Sequence, residues 1–354
     1  MTSKNTHAAA STTQSPVWSP ALRARTGAMR PGIRGWAADR QSTGVRRGLQ
    51  IALGVVWLLD AALQFQPYMF GRAFVSQVLE PAATGNPAVF ASPALWADRL
   101  ITHGLPAWNA VFALAQLAVA AGLLWRPAVK AALAASIVWS LGVWWVAEGL
   151  GGVLTGAASP ITGAPGAVVL YALLAVLLWP RHSGAPGDSG AGHGGAGHGG
   201  VAAASPLGRR WSSAAWLVLW GSFAYLVLQP AVRAPRALSG ILAGEAAGEP
   251  GWLAVLDRGV AAAAGSHGLA ISVVLAVAFV LIAAGTLFPA TARPALVLAI
   301  IIGLGIWVAG EDFGEVLTGT ATDPNTGPLL ILLAAAYWPL QPGSPREPAV
   351  PPAS

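Results

Sequence analysis

Apolar residues gather in this chain into long runs, at about 48–70, 104–125, 128–148, 165–179, 211–229, 267–288, 293–309 and 328–340. The longer runs reach the ~20 residues that an α-helix needs to cross a bilayer. Eight transmembrane helices are therefore expected, in an all-α polytopic membrane protein. The fourth and eighth runs sit near the lower limit and would tilt little or thin the bilayer locally. Proline marks the boundaries. Pro127 and Pro294 fall in tight turns, and Pro165 and Pro328 open helices, where a missing N–H costs nothing.

The pattern is written twice. "WWVAEGLGGVLTG" (144–156) returns as "WVAGEDFGEVLTG" (307–319), matching at seven of thirteen positions. "QP" recurs at Gln66-Pro67 and Gln229-Pro230, "THGL" at 102–105 as "SHGL" at 266–269, and "WP" at Trp179-Pro180 and Trp338-Pro339. "AAGLLWRPAVKAAL" (120–133) answers "AAGTLFPATARPAL" (283–296) at the same 163-residue offset. Ordered recurrence of this kind points to a doubled four-helix unit. An even number of spans makes both copies point the same way, about an axis along the membrane normal. The expected organisation is a basic disordered tail (1–47), a first unit (48–180), a Gly/His-rich linker (181–210), a second unit (211–340) and a Pro-rich tail (341–354).

Composition agrees with the runs: 55% apolar and 10% charged residues, where a soluble domain carries ~25% charged. The formal charge of +6 lies in tails and short loops, so it is an orientation signal and not a nucleic-acid signal. Eight Lys/Arg precede the first run, which is too long for a cleavable signal core and reads as a retained anchor. Arg126, Lys130, Arg181, Arg209, Arg210, Arg293 and Arg346 then fall on the same side, whereas the loops at 149–164 and 310–327 hold no Lys or Arg. Both termini are thus expected in the cytoplasm. No cysteine is present, which excludes disulfides and thiolate chemistry.

Ionisable groups within spans are functional candidates. Asp60 lies twelve residues into the first run, ~18 Å deep, and costs ~2.5–3.5 kcal/mol at a helix centre. Its counterpart in the second copy is Phe223. Gln64 and Gln66 follow it, with Gln229 at the second "QP". His103 and His267 begin inbound helices at the same outer face, and Glu148 and Glu311 end outbound ones there. With Thr155 and Thr318 from the Gly-rich loops, these ten residues outline an outer vestibule for a small solute, an ion or a quinone headgroup. The two glutamates and two histidines fit equally well as hydrated helix-end residues, their repetition being explained by common descent. His182, His193 and His198 in the Gly-rich linker can hold a transition metal only loosely, since a Gly coil preorganises nothing; a plain tether is the simpler account. The sixteen tryptophans fit an interface belt and packing. No Ser-His-Asp spacing, phosphate-binding Gly loop with Lys or HExxH motif occurs. His103 and His267 could ligate haem at best at the membrane surface.

The stretch "RRGLQIALGVVWLLDAALQF" (46–65) resembles the basic, then apolar, first helix of the DoxX/DoxD-like membrane proteins, with a polar residue near its outer end. The four-helix layout with a cytoplasmic N-terminus is similar too, chiefly over the first unit. That resemblance implies an accessory role near a quinone-linked membrane oxidoreductase, with no catalytic residue to carry over. Two further readings stand beside it: a small-solute or ion transporter using the outer vestibule, and a non-catalytic structural or assembly protein.

Overall fold

The computed structural model describes residues 31–180, 200–246 and 249–340, and these are helical, without a strand. The linker histidines His182, His193 and His198 lie outside the described residues. The main helices are α1 (Pro31–Leu63), α2 (Ala88–Thr102), α3 (Leu105–Leu124), α4 (Val129–Val146), α5 (Ala167–Leu177), α6 (Gly208–Val227), α7 (Ala237–Glu245), α8 (Gly251–Ala264), α9 (Gly268–Gly285), α10 (Pro289–Ala309) and α11 (Thr326–Tyr337). Among them α3, α4 with the turn before it, α9 and α10 are long and apolar enough to cross a membrane. Their outward faces carry bare aliphatic side chains: Val138 is 73% exposed, and Val274, Leu281 and Ile301 are exposed as well. Such surfaces suit lipid, not water.

Three expectations change. Pro294 lies inside α10, which opens at Pro289, and so does not sit in the turn before it. Helix already covers Pro31, where the described residues start and well before the apolar run, so the tail assigned to 1–47 is helical over its last part. The stretches 71–103 and 230–266 are not plain loops. They hold α2, α7 and α8, and α2 and α8 mix Asp and Arg with exposed Trp96 and Trp252 on otherwise apolar helices. Mixed charge hid these helices from a search for apolar runs.

Packing follows a pattern that recurs along the chain. α1 lies on α3 and α4 on α5; later, α6 lies on α9 and α10 on α11. Where α3 turns into α4, Gly122 faces Ala132 so closely that an added Cβ would sit 2.7 Å from that methyl. Gly285 stands 2.6 Å from Ala295 in the same way between α9 and α10. Small residues bring helix backbones together where lipid tails supply no hydrophobic drive. The short helices α5 and α11 pack on each other at the centre and are buried along nearly their whole length. Leu170, Leu174, Trp220, Phe223, Leu330 and Leu333 join both halves into one continuous core.

Arg46 and Arg47 are fastened at one end of the bundle. Arg47 donates to the Leu123 and Leu124 carbonyls at 2.8 and 2.6 Å, capping the end of α3, and Arg46 donates to Ala204 at 2.7 Å. The cavities described next lie toward the opposite end, at the loops following α4 and α10.

Candidate functional site

The repeated phrase builds the same local structure in both places. After α4, Leu150 and Gly151 take left-handed backbone angles; after α10, Phe313 and Gly314 do so. Trp144 Nε1 donates to the Pro165 carbonyl at 2.7 Å, and Trp307 Nε1 to the Pro324 carbonyl at 2.9 Å. Each indole thereby pins the returning strand of its loop. Gly151 packs directly against Pro165, and Gly314 against Pro324, leaving no room for a side chain.

The two glutamates reach across their loops to the start of the next helix. Glu311 accepts from Gly327 N at 3.0 Å, from Thr326 N at 3.3 Å and from the Thr326 hydroxyl. Glu148 accepts from the Val168 backbone N–H and lies against Gly166. Carboxylates at helix N-termini satisfy free N–H groups and oppose the positive end of the dipole. Neither glutamate faces lipid. Burial raises Glu148 from its ordinary 4.5 to about 8, helped by the neighbouring Asp323 and opposed by the Val168 bond. Burial also raises Glu311, to about 7, against the pull of its three donors.

From here the two halves part. Beneath the first loop lies an inner cavity of about 400 Å³, lined by α1, α3, α4 and α5 and by the short helices after α1. Trp57, Phe112, Trp139 and Tyr171 give it aromatic walls, and Asp60, Gln64 and Gln116 give it polar ones. Asp60 is only 2% exposed; Tyr171 Oη donates to its Oδ2 at 2.7 Å, and its Oδ1 has no partner. Trp57 packs on Tyr171 with ring centroids 4.8 Å apart and donates to Ser136 Oγ at 3.2 Å. At the matching places of the second half stand Phe223 for Asp60, Phe279 for Gln116 and Leu330 for Tyr171. Phe223 and Phe279 meet at 5.5 Å, and both pack against Trp220, one edge-on and one tilted. Aromatic rings fill the second half where the first is hollow.

Above the inner cavity an outer vestibule of about 780 Å³ opens, lined by Tyr68, Gln77, Glu315, Thr318 and Asn325 among others. Val78, Glu148, Thr322 and Asp323 line both spaces, so they form the neck between them. Asp323 comes from the second half's loop. It acts electrostatically on Asp60, Glu148, Tyr171 and Glu311. Its own carboxyl is raised by burial, with bonds from Asn325 N and Thr322 pulling the other way. The loops interlock: Gln66 Nε2 donates to the Ala321 carbonyl at 3.3 Å, and Gly310 packs under the Ile161 carbonyl.

Of the ten residues singled out in the sequence, Asp60 and Gln64 line the inner cavity, Glu148 the neck and Thr318 the vestibule. Glu311 is buried behind the vestibule as a helix cap, and Gln66 fastens its rim. The remaining four stand away from both spaces. Thr155 is exposed and turns back on Gly152. His103 and His267 are exposed, each bonding the carbonyl of the helix turn before it, so neither is a ligand in the vestibule. Gln229 serves the turn after α6 through its backbone. Sequence reasoning missed Tyr171, Gln116, Trp57 and the placement of Asp323. Laying the chain on itself at the 163-residue offset of the repeated phrase would have exposed Gln116 through Phe279.

No protein-family model, curated protein or solved structure matches the chain.

Proposed function

We propose that this is an eight-helix membrane protein of two tandem four-helix units that takes a small ligand from its outer vestibule into the first unit's inner cavity, as a small-solute transporter does. Recurrent packing, the paired Trp–carbonyl bonds and the paired glutamate caps support the doubled architecture. The offset between copies falls from 163 at Trp144 and Trp307 to 159 at Trp179 and Trp338, which makes the second loop four residues shorter. Helices α5 and α11, of 11 and 12 residues, span only ~16–18 Å each. The irregular loops before them are satisfied by protein, the condition under which non-helical backbone is tolerated at membrane depth. Arginines at the opposite end favour cytoplasmic termini in a bacterial plasma membrane.

The observation that carries the functional reading is the asymmetry of the two halves. One scaffold is used twice, and the place that Asp60, Gln116 and Tyr171 leave hollow in the first copy is filled in the second by Phe223, Phe279 and Trp220. The second copy's own hollow, of about 380 Å³ beside Arg209, Arg210 and Tyr337, lies elsewhere. Ligand pockets are commonly of this volume, with apolar walls and a few convergent polar groups. The test is to copy the filled half into the hollow one. Small molecules retained by the purified protein are compared by untargeted mass spectrometry with those retained by the double variant Asp60→Phe, Gln116→Phe. A compound held by the parent and absent from a folded variant supports the reading; identical profiles sink it.

A second reading has its own observation. The cavity is bounded by Val138 and Gly142 on the exposed face of α4, so a lipid-soluble ligand has a lateral way in. This favours the accessory role near quinone that the DoxX-like resemblance implies. Quinone in an organic extract of the purified protein, or co-purification with a dehydrogenase, would favour it over transport. A structural or assembly role gains instead if the double variant restores every phenotype of a deletion strain.

A further inference from the structure

The groups left unsatisfied around the inner cavity share one character. Asp60 Oδ1, Gln64 Oε1, Gln116 Oε1 and Glu148 Oε2 are all buried acceptors without a donor. A glutamine can turn its amide end for end, so the carboxylates decide the matter. Gln64 still leaves a polar end unpaired, at 4% exposure. No Lys, Arg or His lines either the cavity or the vestibule. The site thus asks its occupant for N–H or O–H donors and for positive charge.

The walls narrow the choice. A bare metal ion needs several oxygen ligands around it. Here most of the lining is apolar, and no group of three His, Asp or Glu suited to a metal occurs among the described residues. An anion would meet Asp60, Glu148 and Asp323 with nothing to offset them. A quinone offers acceptors only, and would leave the Asp60 and Glu148 oxygens without a donor. Trp57, Phe112, Trp139 and Tyr171, by contrast, line the cavity with aromatic rings, a kind of side chain that attracts organic cations.

We propose that the inner cavity binds lipophilic organic ammonium ions, with the N–H groups turned to Asp60, Gln64 and the Glu148–Asp323 neck and the apolar body against the aromatic walls. This rests on the ligand-cavity reading above and names its substrate class. The exchange at Glu148 balances: the arriving ammonium keeps its protons and pairs with the carboxylate, and the proton that the Glu148 carboxyl held leaves through the vestibule. The groups that act with Glu148 are Asp323 from the second loop, Tyr171 from α5 and the Val168 N–H, with Asp60 in the lining of the same cavity. Glu315 acts in turn on Asp323, and no cation answers any of them. Ammonium binding should therefore strengthen as pH rises toward 8, by up to ~10-fold per unit for one proton exchanged.

The test is titration calorimetry on the full-length protein in detergent with 4-phenylbutylamine, its neutral isostere 4-phenylbutan-1-ol, and hydroquinone. The Asp60→Phe, Gln116→Phe variant supplies the baseline for partition into micelles. The amine is expected to bind at least 10-fold more tightly than the alcohol and to release protons into the buffer. Glu148→Gln should bind the amine with no pH dependence between 6 and 8, and Asp60→Asn should weaken it 10-fold or more, with unchanged elution on gel filtration. Alcohol or hydroquinone binding as tightly as the amine, without proton release, overturns the ammonium assignment and leaves the ligand cavity standing. Heats for all three probes that match the filled variant, together with identical retained compounds in both proteins, overturn the assignment and the cavity reading together.

Discussion

Tyr171 on α5 donates its phenolic hydrogen to Asp60 on α1 at 2.7 Å, a bond made between residues 111 apart in the chain. It fixes one carboxylate oxygen and leaves the other toward the cavity. Replacing Tyr171 by Phe removes the donor and keeps the ring on Trp57, so Asp60 loses its remaining partner. The expected cost is ~1–3 kcal/mol, as for other orphaned buried acceptors. A lowered melting midpoint in detergent checks it. Adding Asp60→Leu to Tyr171→Phe should recover part of the loss, since both polar groups are then gone; a further drop would contradict this account of the pair.

Stability should depend on pH in a definite direction. Burial raises Glu148 to about 8 and Glu311 to about 7 from an ordinary 4.5. The folded state therefore binds these protons more tightly than the unfolded one. Their contribution is complete below pH 4.5 and declines as pH rises to about 8, beyond which it is flat. Asp323, also raised by burial, adds with the same sign. Melting midpoints measured from pH 4.5 to 9 should fall across that window, and Glu148→Gln with Glu311→Gln should flatten the curve. A midpoint that climbs with pH would reverse the assignment.

Glycine substitutions separate two causes of cost in the loops. Gly151 and Gly314 combine positive φ angles of 62° and 71° with direct contact on Pro165 and Pro324. Gly156 has a φ of 75° but open space around it. Gly156→Ala should cost only the ~1–2 kcal/mol of a left-handed non-glycine residue. Gly151→Ala and Gly314→Ala should cost clearly more, because the loop must also part from its proline. Equal melting shifts for all three would remove the packing argument.

The indole bonds offer a test of the doubled plan. Trp144→Phe and Trp307→Phe each delete one donor to a loop carbonyl, at an expected ~1 kcal/mol apiece. The two bonds lie in separate loops, so the double variant should show the sum of the single effects within ~0.5 kcal/mol. One variant near zero beside one of several kcal/mol would mean that the two loops do different work.

Much of this was legible in the sequence. Long apolar runs located the apolar helices, since unbroken hydrophobicity is a lipid-facing signal that needs no tertiary information. The Trp-Glu-Gly phrase marked both loops because indole, carboxylate and left-handed glycine are each tied to one geometry. Asp60 stood out by its solvation cost. Tyr171 and Gln116 did not. A tyrosine inside "AVVLYALLAVL" reads as packing, and one amide in "FALAQLAVA" is affordable in many bundles. Their meaning depends on which helices meet, and that is set by α5 packing centrally against α4 and α11. The histidines misled for a related reason. They stand at helix boundaries, where bonding a local carbonyl satisfies the ring as well as any ligand would.

Asp323 reaches the cavity of α1, α3, α4 and α5 from the loop between α10 and α11. An occupant of the hollow would therefore touch early and late helices of the chain at once, as a rivet between them. Occupancy should show as cohesion: two separately expressed halves that drift apart when empty would be clasped together once the right guest arrives.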